Sequence, residues 1–322
     1  MDTQNLGAQV VRCWPAGADI ATTAELEEAG IGDRMLTRAV QRGLLLRLRR
    51  GAYIQAAVWH ALKPWEQSRL RLLAHILTTP GTHSYSHFSA ARLHRLDVWN
   101  CGEKIHLTSS RTPSGSSVAR DVAHHHLPLE ASDVTSFTLK NQMQVSATTL
   151  ERTVVDCARF GGFAQAVVIG DHALRKGAKL DTMVAMVANL GGARGVKKAR
   201  KVLSALNGRS ESAGESRTRI FLASLRIPQP VLQLRIRVGQ GEYRADFAWP
   251  ELKLILEFDG KYKYFDFRPT AEVLMDERRR ENLLIERGWR FIRIEWADLG
   301  RVEQLRQRIF AAVAAAQQAA AA

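Results

Sequence analysis

The sequence predicts an α/β protein of several domains, of the mixed α+β kind. Three observations predict it. Residues 1–58 combine short helical periodicity with a two-strand hairpin; residues 59–207 mix helical and strand patterns; residues 208–322 follow the order helix, three strands, helix, strand. A chain of 322 residues with 46% hydrophobic content has room for two or three packed cores.

In the first segment Thr22 or Thr23 caps a helix over 24–29, and Gly30-Ile31-Gly32 makes a tight turn. A second helix runs over 33–42 and stops at Gly43. Leu36, Ala39 and Val40 form its apolar face, while Arg34, Arg38 and Arg42 recur every fourth residue on another. Strands over 44–48 and 52–55 flank Arg49-Arg50-Gly51. This is the layout of a winged helix-turn-helix. Its second helix would enter a major groove, and its wing would present Arg49 and Arg50. The same arginines would also serve as a solvated face, but three in a row plus two at a hairpin tip favour phosphate contact.

The middle segment predicts helices over 65–77, from Ser86 through Leu93, and over 149–160, 163–175, 184–190 and 195–206, with strands over 105–108, 121–126 and 144–146. His124-His125-His126 lies on one of these strands. Neighbours there point to opposite faces, so no metal takes all three. His83, His87 and His94 read as packing or hydrogen-bonded residues.

The last segment carries the chemistry. A helix over 212–225 contains Glu215 and ends before Pro228 and Pro230. Strands follow over 231–238, 243–249 and 252–258, then a helix over 270–287 stopped by Gly288, then a strand over 289–295. Asp298 is placed to cap a final helix running into the alanine-rich end. Strand periodicity puts Leu252, Leu254, Leu256 and Phe258 on one face, and Ile255, Glu257, Asp259 and Lys261 on the other. Asp246 lies on the preceding strand. Carboxylates in so apolar a setting call for compensation, which a hard cation such as Mg²⁺ or Mn²⁺ provides. Two or three of them holding Mg²⁺ would polarise a phosphate and acidify a water, with Lys261 stabilising charge at the transition state. Glu215 would add a carboxylate from the helix. Structural ion pairs, such as Asp246 with Arg244 or Arg293, are the competing reading.

The formal charge of +14 favours a polyanionic partner, and duplex DNA is the one the arginine pattern suits. No apolar run is long enough to span a bilayer, and no basic amphipathic segment suggests a membrane surface. No signal peptide is evident at the N-terminus. The three cysteines, Cys13, Cys101 and Cys157, form no CxxC, so a reducing cytoplasm is expected.

Residues 210–299 resemble the very-short-patch-repair-like endonuclease domain known as domain of unknown function 559, within the PD-(D/E)xK, restriction-endonuclease-like superfamily. The resemblance rests on Ser212-Ala-Gly-Glu215-Ser-Arg217, Ala245-Asp246-Phe247, Leu256-Glu257-Phe-Asp259-Gly260, Asp276-Glu-Arg-Arg279, Leu283 and Gly288-Trp289-Arg-Phe-Ile-Arg293. It implies Asp246, Glu257 and Asp259 as metal ligands and places Arg279 and Arg293 toward the site or the DNA backbone. The chain departs from its relatives at Tyr262-Lys263-Tyr264, where they often carry a His.

Residues 20–55 resemble the N-terminal domain of AbiEi-type antitoxins from type IV toxin–antitoxin systems, through Ala24-Glu-Leu26, Gly30, Arg42-Gly43 and Arg49-Arg50-Gly51-Ala-Tyr53. Ser86-His87, Ser89-Ala90-Ala91 and Arg152-Thr153-Val154-Val155-Asp156 resemble the region joining the two modules in actinobacterial chains, where His87 and Asp156 are structural. The expectation is a cytoplasmic DNA-binding protein with a Mg²⁺-dependent endonuclease domain acting in defence or repair. The alternative is an antitoxin or repressor whose nuclease fold only binds; its toxin is not identifiable from sequence. A winged helix argues against an RNA-directed enzyme.

Overall fold

The computed structural model describes residues 3–79, 81, 83–109, 120–139, 142–239, 241–260 and 271–321. The chain divides into two compact units, 1–156 and 157–322.

The first unit opens with α1 (Thr3–Arg12), β1 (Ala21–Thr22), α2 (Thr23–Glu28), α3 (Asp33–Gln41), β2 (Leu45–Arg49) and β3 (Ala52–Gln55). Thr22 caps α2: its hydroxyl accepts from the Glu25 N–H, and the Glu25 carboxylate accepts from the Thr22 N–H at 2.7 Å. The three strands pair in the order β1-β3-β2. Leu6 and Val10 of α1, a helix that the sequence pattern does not announce, close a core made by Leu26, Ile31, Leu36, Leu45 and Tyr53. The other side of the hairpin does not face water. Ile54 packs with Trp59 of α4 (Ala56–Ala61) and Leu70 of α5 (Pro64–Thr78). The hairpin and the two helices after it thus share one core.

Next come β4 (Ser84–Tyr85), α6 (His87–Leu93), β5 (Ile105–Ser109), β6 (Val122–His126), β7 (Val134–Thr138) and β8 (Gln144–Thr148), followed by α7 (Leu150–Phe160). Their sheet has the order β6-β5-β4-β8-β7, with β5 and β6 parallel. Asp156 is buried and receives Arg152, which also reaches Asp133.

The second unit holds α8 (Phe163–Arg175), α9 (Leu180–Asn189), α10 (Val196–Leu203), α11 (Ala213–Ala223), β9 (Val231–Val238), β10 (Gly241–Trp249), β11 (Leu254–Phe258), α12 (Ala271–Glu286), β12 (Arg290–Ile294) and α13 (Val302–Ala321). Asp171 of α8 is fully buried and accepts from Arg219 of α11 and from the Asn207 N–H, both at 2.7 Å. That bridge makes the helices before 207 continuous with the C-terminal segment. The four strands run β12-β11-β10-β9, parallel between β11 and β12 and antiparallel elsewhere. Phe247, Leu254, Leu256, Phe258 and Ile292 build one core with α13, while Ala245, Ile255 and Tyr243 build another with Leu284 of α12. Asp298 does not cap α13 as the sequence suggested. Its carboxylate accepts the Glu295 N–H at 2.8 Å, closing a 3-10 turn, and the helix starts later at Val302.

Candidate functional site

The first candidate surface is α3 and the wing. Arg34, Arg38 and Arg42 are all exposed, with Leu36 and Ala39 buried behind them. The amphipathic spacing therefore turns one basic row outward. Arg50 at the hairpin tip is exposed too, beside Gly51 at φ +86°. Arg49 is different. Its side chain is only 18% exposed and pairs with Asp121 at 3.4 Å, so the wing is fastened to the edge of the middle sheet through an arginine expected to reach DNA. Arg47, exposed on β2, was not singled out from sequence.

The second site lies across the C-terminal sheet. Extending the β10–β11 register of Phe247 with Leu256 sets Asp246 opposite Glu257, and Glu257 in turn pairs with Arg293 of β12. On the other side Gln233 falls opposite Asp246, between the pairs Ala245–Leu234 and Phe247–Leu232. The sheet is kinked here. Gln233 has φ +53°, and Ala245 and Phe247, two residues apart, join different cores. A left-handed residue inside a strand is costly and is a common mark of functional sites.

The polar contacts converge on the pair. The Phe258 N–H donates to Asp246 Oδ2 at 3.0 Å, and Gln233 Nε2 donates to Asp246 Oδ1 at 3.3 Å and to Glu215 Oε2 at 3.0 Å. The Tyr243 hydroxyl donates to Glu257 Oε1 at 3.1 Å. Among the described residues neither Asp246 nor Glu257 has a cationic partner. Arg244 pairs with Glu211 and Arg293 with Glu281, so the ion pairs that the competing reading required go elsewhere. Burial, and next the negative Asp246, push the Glu257 carboxyl up to about 9. Burial, and next the charge of Glu257, likewise raise the Tyr243 hydroxyl.

Glu215 sits close by, but its carboxylate is engaged. It accepts the Ser212 hydroxyl at 2.8 Å and the Glu211 N–H at 2.8 Å, while its own N–H donates to Ser212 Oγ. This caps α11 and anchors the helix over the sheet. Gly214 permits the approach: a Cβ there would lie 1.9 Å from Phe258 Cε1. Asp259 is half-buried at the end of β11, its N–H donating to the Ile294 carbonyl. Lys261, with Tyr262-Lys263-Tyr264, lies outside the described residues. Arg279 is exposed on α12. Sequence reasoning missed Gln233 and Tyr243, and also a cleft of about 450 Å³ beside Gln233 lined by Arg175, Arg209 and Arg235. The only prior signal for that cleft was the excess of basic residues.

Among the described residues no helix is long and apolar enough to cross a membrane. Residues 16–54 match the family model of the AbiEi antitoxin transcriptional regulators. Two uncharacterized proteins of Mycobacterium tuberculosis, MT2308 of strain CDC 1551 / Oshkosh and Rv2248 of strain H37Rv, are each 37% identical over 116 residues. That stretch is 36% of this chain and 41% of each relative, so the chain covers well under two thirds of their length. The crystal structure of the Rv2827c protein from M. tuberculosis aligns over 72% of this chain and 87% of its own, with 17% identity and a TM-score of 0.36. The N-terminal segment thus carries an antitoxin-type transcriptional-regulator domain, with the α3 row and the wing inside or beside it.

Proposed function

We propose that the protein binds duplex DNA through its N-terminal winged helix and hydrolyses phosphodiester bonds at the Asp246–Glu257 site with Mg²⁺ or Mn²⁺. One observation carries the catalytic half: two half-buried carboxyls side by side on neighbouring strands, with no cation beside them among the described residues. The donor set fits a hard cation, because it is all oxygen and because the buried Gln233 Oε1 has no hydrogen-bond partner among the described residues. Asp246 and Glu257 would hold the ion, with Asp259 at the strand end. When bound, it would polarise the scissile phosphate and acidify a water.

The chain's own residues do the rest. Gln233 and the Phe258 N–H fix the orientation of Asp246, and the Tyr243 hydroxyl fixes Glu257. Glu215 positions α11 and, through Gln233, the kinked strand. Arg175, Arg209 and Arg235 offer the adjoining cleft a positive lining for DNA phosphates. Lys261 is assigned charge stabilisation. Cytoplasmic work on DNA, in defence or repair, is the setting this chemistry suits.

A second reading has its own observation. The antitoxin-type match at 16–54, together with Glu215 spent on capping, suits a regulator that binds without cutting, with a toxin as its partner. Plasmid DNA incubated with the purified chain separates the two. Cleavage with Mg²⁺ or Mn²⁺ that EDTA and Asp246→Asn both abolish supports the enzyme. DNA binding without cleavage under any divalent ion selects the regulator.

A further inference from the structure

A cluster of imidazoles in the first unit is unrelated to the carboxylate site. The parallel register of β5 and β6 pairs His106 with Ala123 and Thr108 with His125, which sets His106 and His125 on one face. Helix α6 begins over that face with His87. His106 Nδ1 and His125 Nε2 are 2.9 Å apart, and one nitrogen from each of the three rings lies within 4.8 Å of the others. His87 and His106 are buried, while His125 is half-buried.

The surroundings hold these rings in place. The Ser86 hydroxyl meets His87 Nδ1 at 2.9 Å and accepts from the Thr108 hydroxyl at 2.7 Å, and the Ser86 N–H donates to the His106 carbonyl at 3.0 Å. His87 has φ +50°, an uncommon backbone for a residue other than glycine. Such strain persists where surrounding structure imposes it, and it concentrates at functional positions.

We propose that His87, His106 and His125 form a binding site for a divalent transition-metal ion of the Zn²⁺ class. Three imidazoles suit a borderline ion and reject Mg²⁺ or Ca²⁺, which require oxygen. The 2.9 Å contact between two ring nitrogens is one that a shared proton makes in the metal-free chain, and a cation replaces that proton. The hydroxyl relay through Ser86 and Thr108 supplies the outer contacts that fix a ligand's ring and tautomer. The rings now lie nearly parallel, 16–24° apart, so loading turns them toward a common point, chiefly at the half-buried His125. Three protein ligands leave a fourth position for water. The ion would staple α6 to β5 and β6. His124 and His126 flank His125 on its strand and point to the other face.

The test is titration of the EDTA-treated full chain with Zn²⁺ by calorimetry and with Co²⁺ by visible absorption. About one ion per chain is expected, with the Co²⁺ spectrum of a nitrogen-ligated site and no competition from Mg²⁺. His125→Ala should weaken Zn²⁺ binding by at least ~10-fold, while His124→Ala leaves it unchanged. A thermal melt of each metal-free variant checks folding, and His125→Gln replaces His125→Ala if that variant is unfolded. The proposal is overturned if the wild type binds neither ion, if His125 variants that fold bind Zn²⁺ as tightly as wild type, or if His124→Ala loses binding and His125→Ala does not. The last result would move the metal to the opposite face of the sheet.

Discussion

His106 and His125 of the first unit and Glu257 of the second are held neutral by burial, but with opposite proton counts. Burial pushes His106 down to about 3 and His125 down to about 4, so these rings have lost their protons at neutral pH. Burial and Asp246 push Glu257 up, so it has kept one. The physics is the same, because a low dielectric disfavours whichever form is charged. What differs is the ion each site would accept. Neutral nitrogens offer lone pairs to a borderline metal, whereas a protonated carboxyl must release its proton before a hard cation binds. On the two proposals, one chain would present two chemically separate cation preferences.

The largest effect that would break this comparison is on cleavage. Asp246→Asn is expected to abolish Mg²⁺-dependent cutting, a loss of at least ~10²-fold, while DNA affinity stays within about twofold of wild type. A gel assay and a binding isotherm on the same preparation would decide it, and equal loss of both would mean that Asp246 serves the fold instead. Lys261→Ala is expected to lower the rate more than the affinity for the ion.

Next in size is the salt-dependent DNA affinity. Arg38→Glu with Arg42→Glu is expected to weaken binding to all duplex sequences. The slope of log affinity on log salt should become shallower by roughly 0.9 for each phosphate that the variant no longer neutralises. Unchanged slope and affinity would clear α3 of any role in contacting DNA.

The pH behaviour should sharpen the contrast. His106 and His125 have native values below the unfolded one, so their contribution is present above about pH 6.5 and is lost as the pH falls toward 3. Glu257 has a native value above the unfolded one. Its contribution is present below about pH 4.5 and is lost as the pH rises toward about 9. Hydrogen exchange followed by unit should therefore show the first unit loosening in acid and the second in base. Glu257→Gln is expected to stabilise the metal-free second unit by roughly 1–2 kcal/mol near pH 8, on the scale of one pKa unit, with no gain near pH 4. Opposite signs would show that the carboxyl is ionised and compensated by a partner.

The smallest effect separates the two wing arginines. Arg50→Ala is expected to reduce DNA affinity without altering the melting temperature. Arg49→Ala should instead lower the stability of the first unit by about 1 kcal/mol, because it leaves Asp121 unpaired. Equal losses of affinity with intact stability would restore both to the DNA surface.

Much of this was legible before the fold. The i, i+4 arginines of α3 and the alternation in β11 report which face points where, because helix and strand periods are local. The capping pair Ser212–Glu215 is local as well, a carboxylate three residues on that satisfies a helix end. The rest depended on pairing. Nothing in Val231–Val238 announces that Gln233 takes a left-handed backbone opposite Asp246. The histidines needed the parallel alignment of β5 with β6 and the placement of α6, since His87, His106 and His125 are far apart in sequence. Looking for a metal within His124-His125-His126 looked along the strand, whereas the neighbours lie across it. The hairpin's second face and the Asp171–Arg219 bridge are likewise long-range contacts.

Gly214 carries no chemistry, yet the C-terminal site depends on its lack of a side chain. Because Phe258 occupies the space where a Cβ would stand, any replacement pries α11 away from the strand end that donates its N–H to Asp246. A methyl group there would detune the carboxyl row while leaving every polar atom of it unaltered. The weak point of this site is thus steric rather than polar.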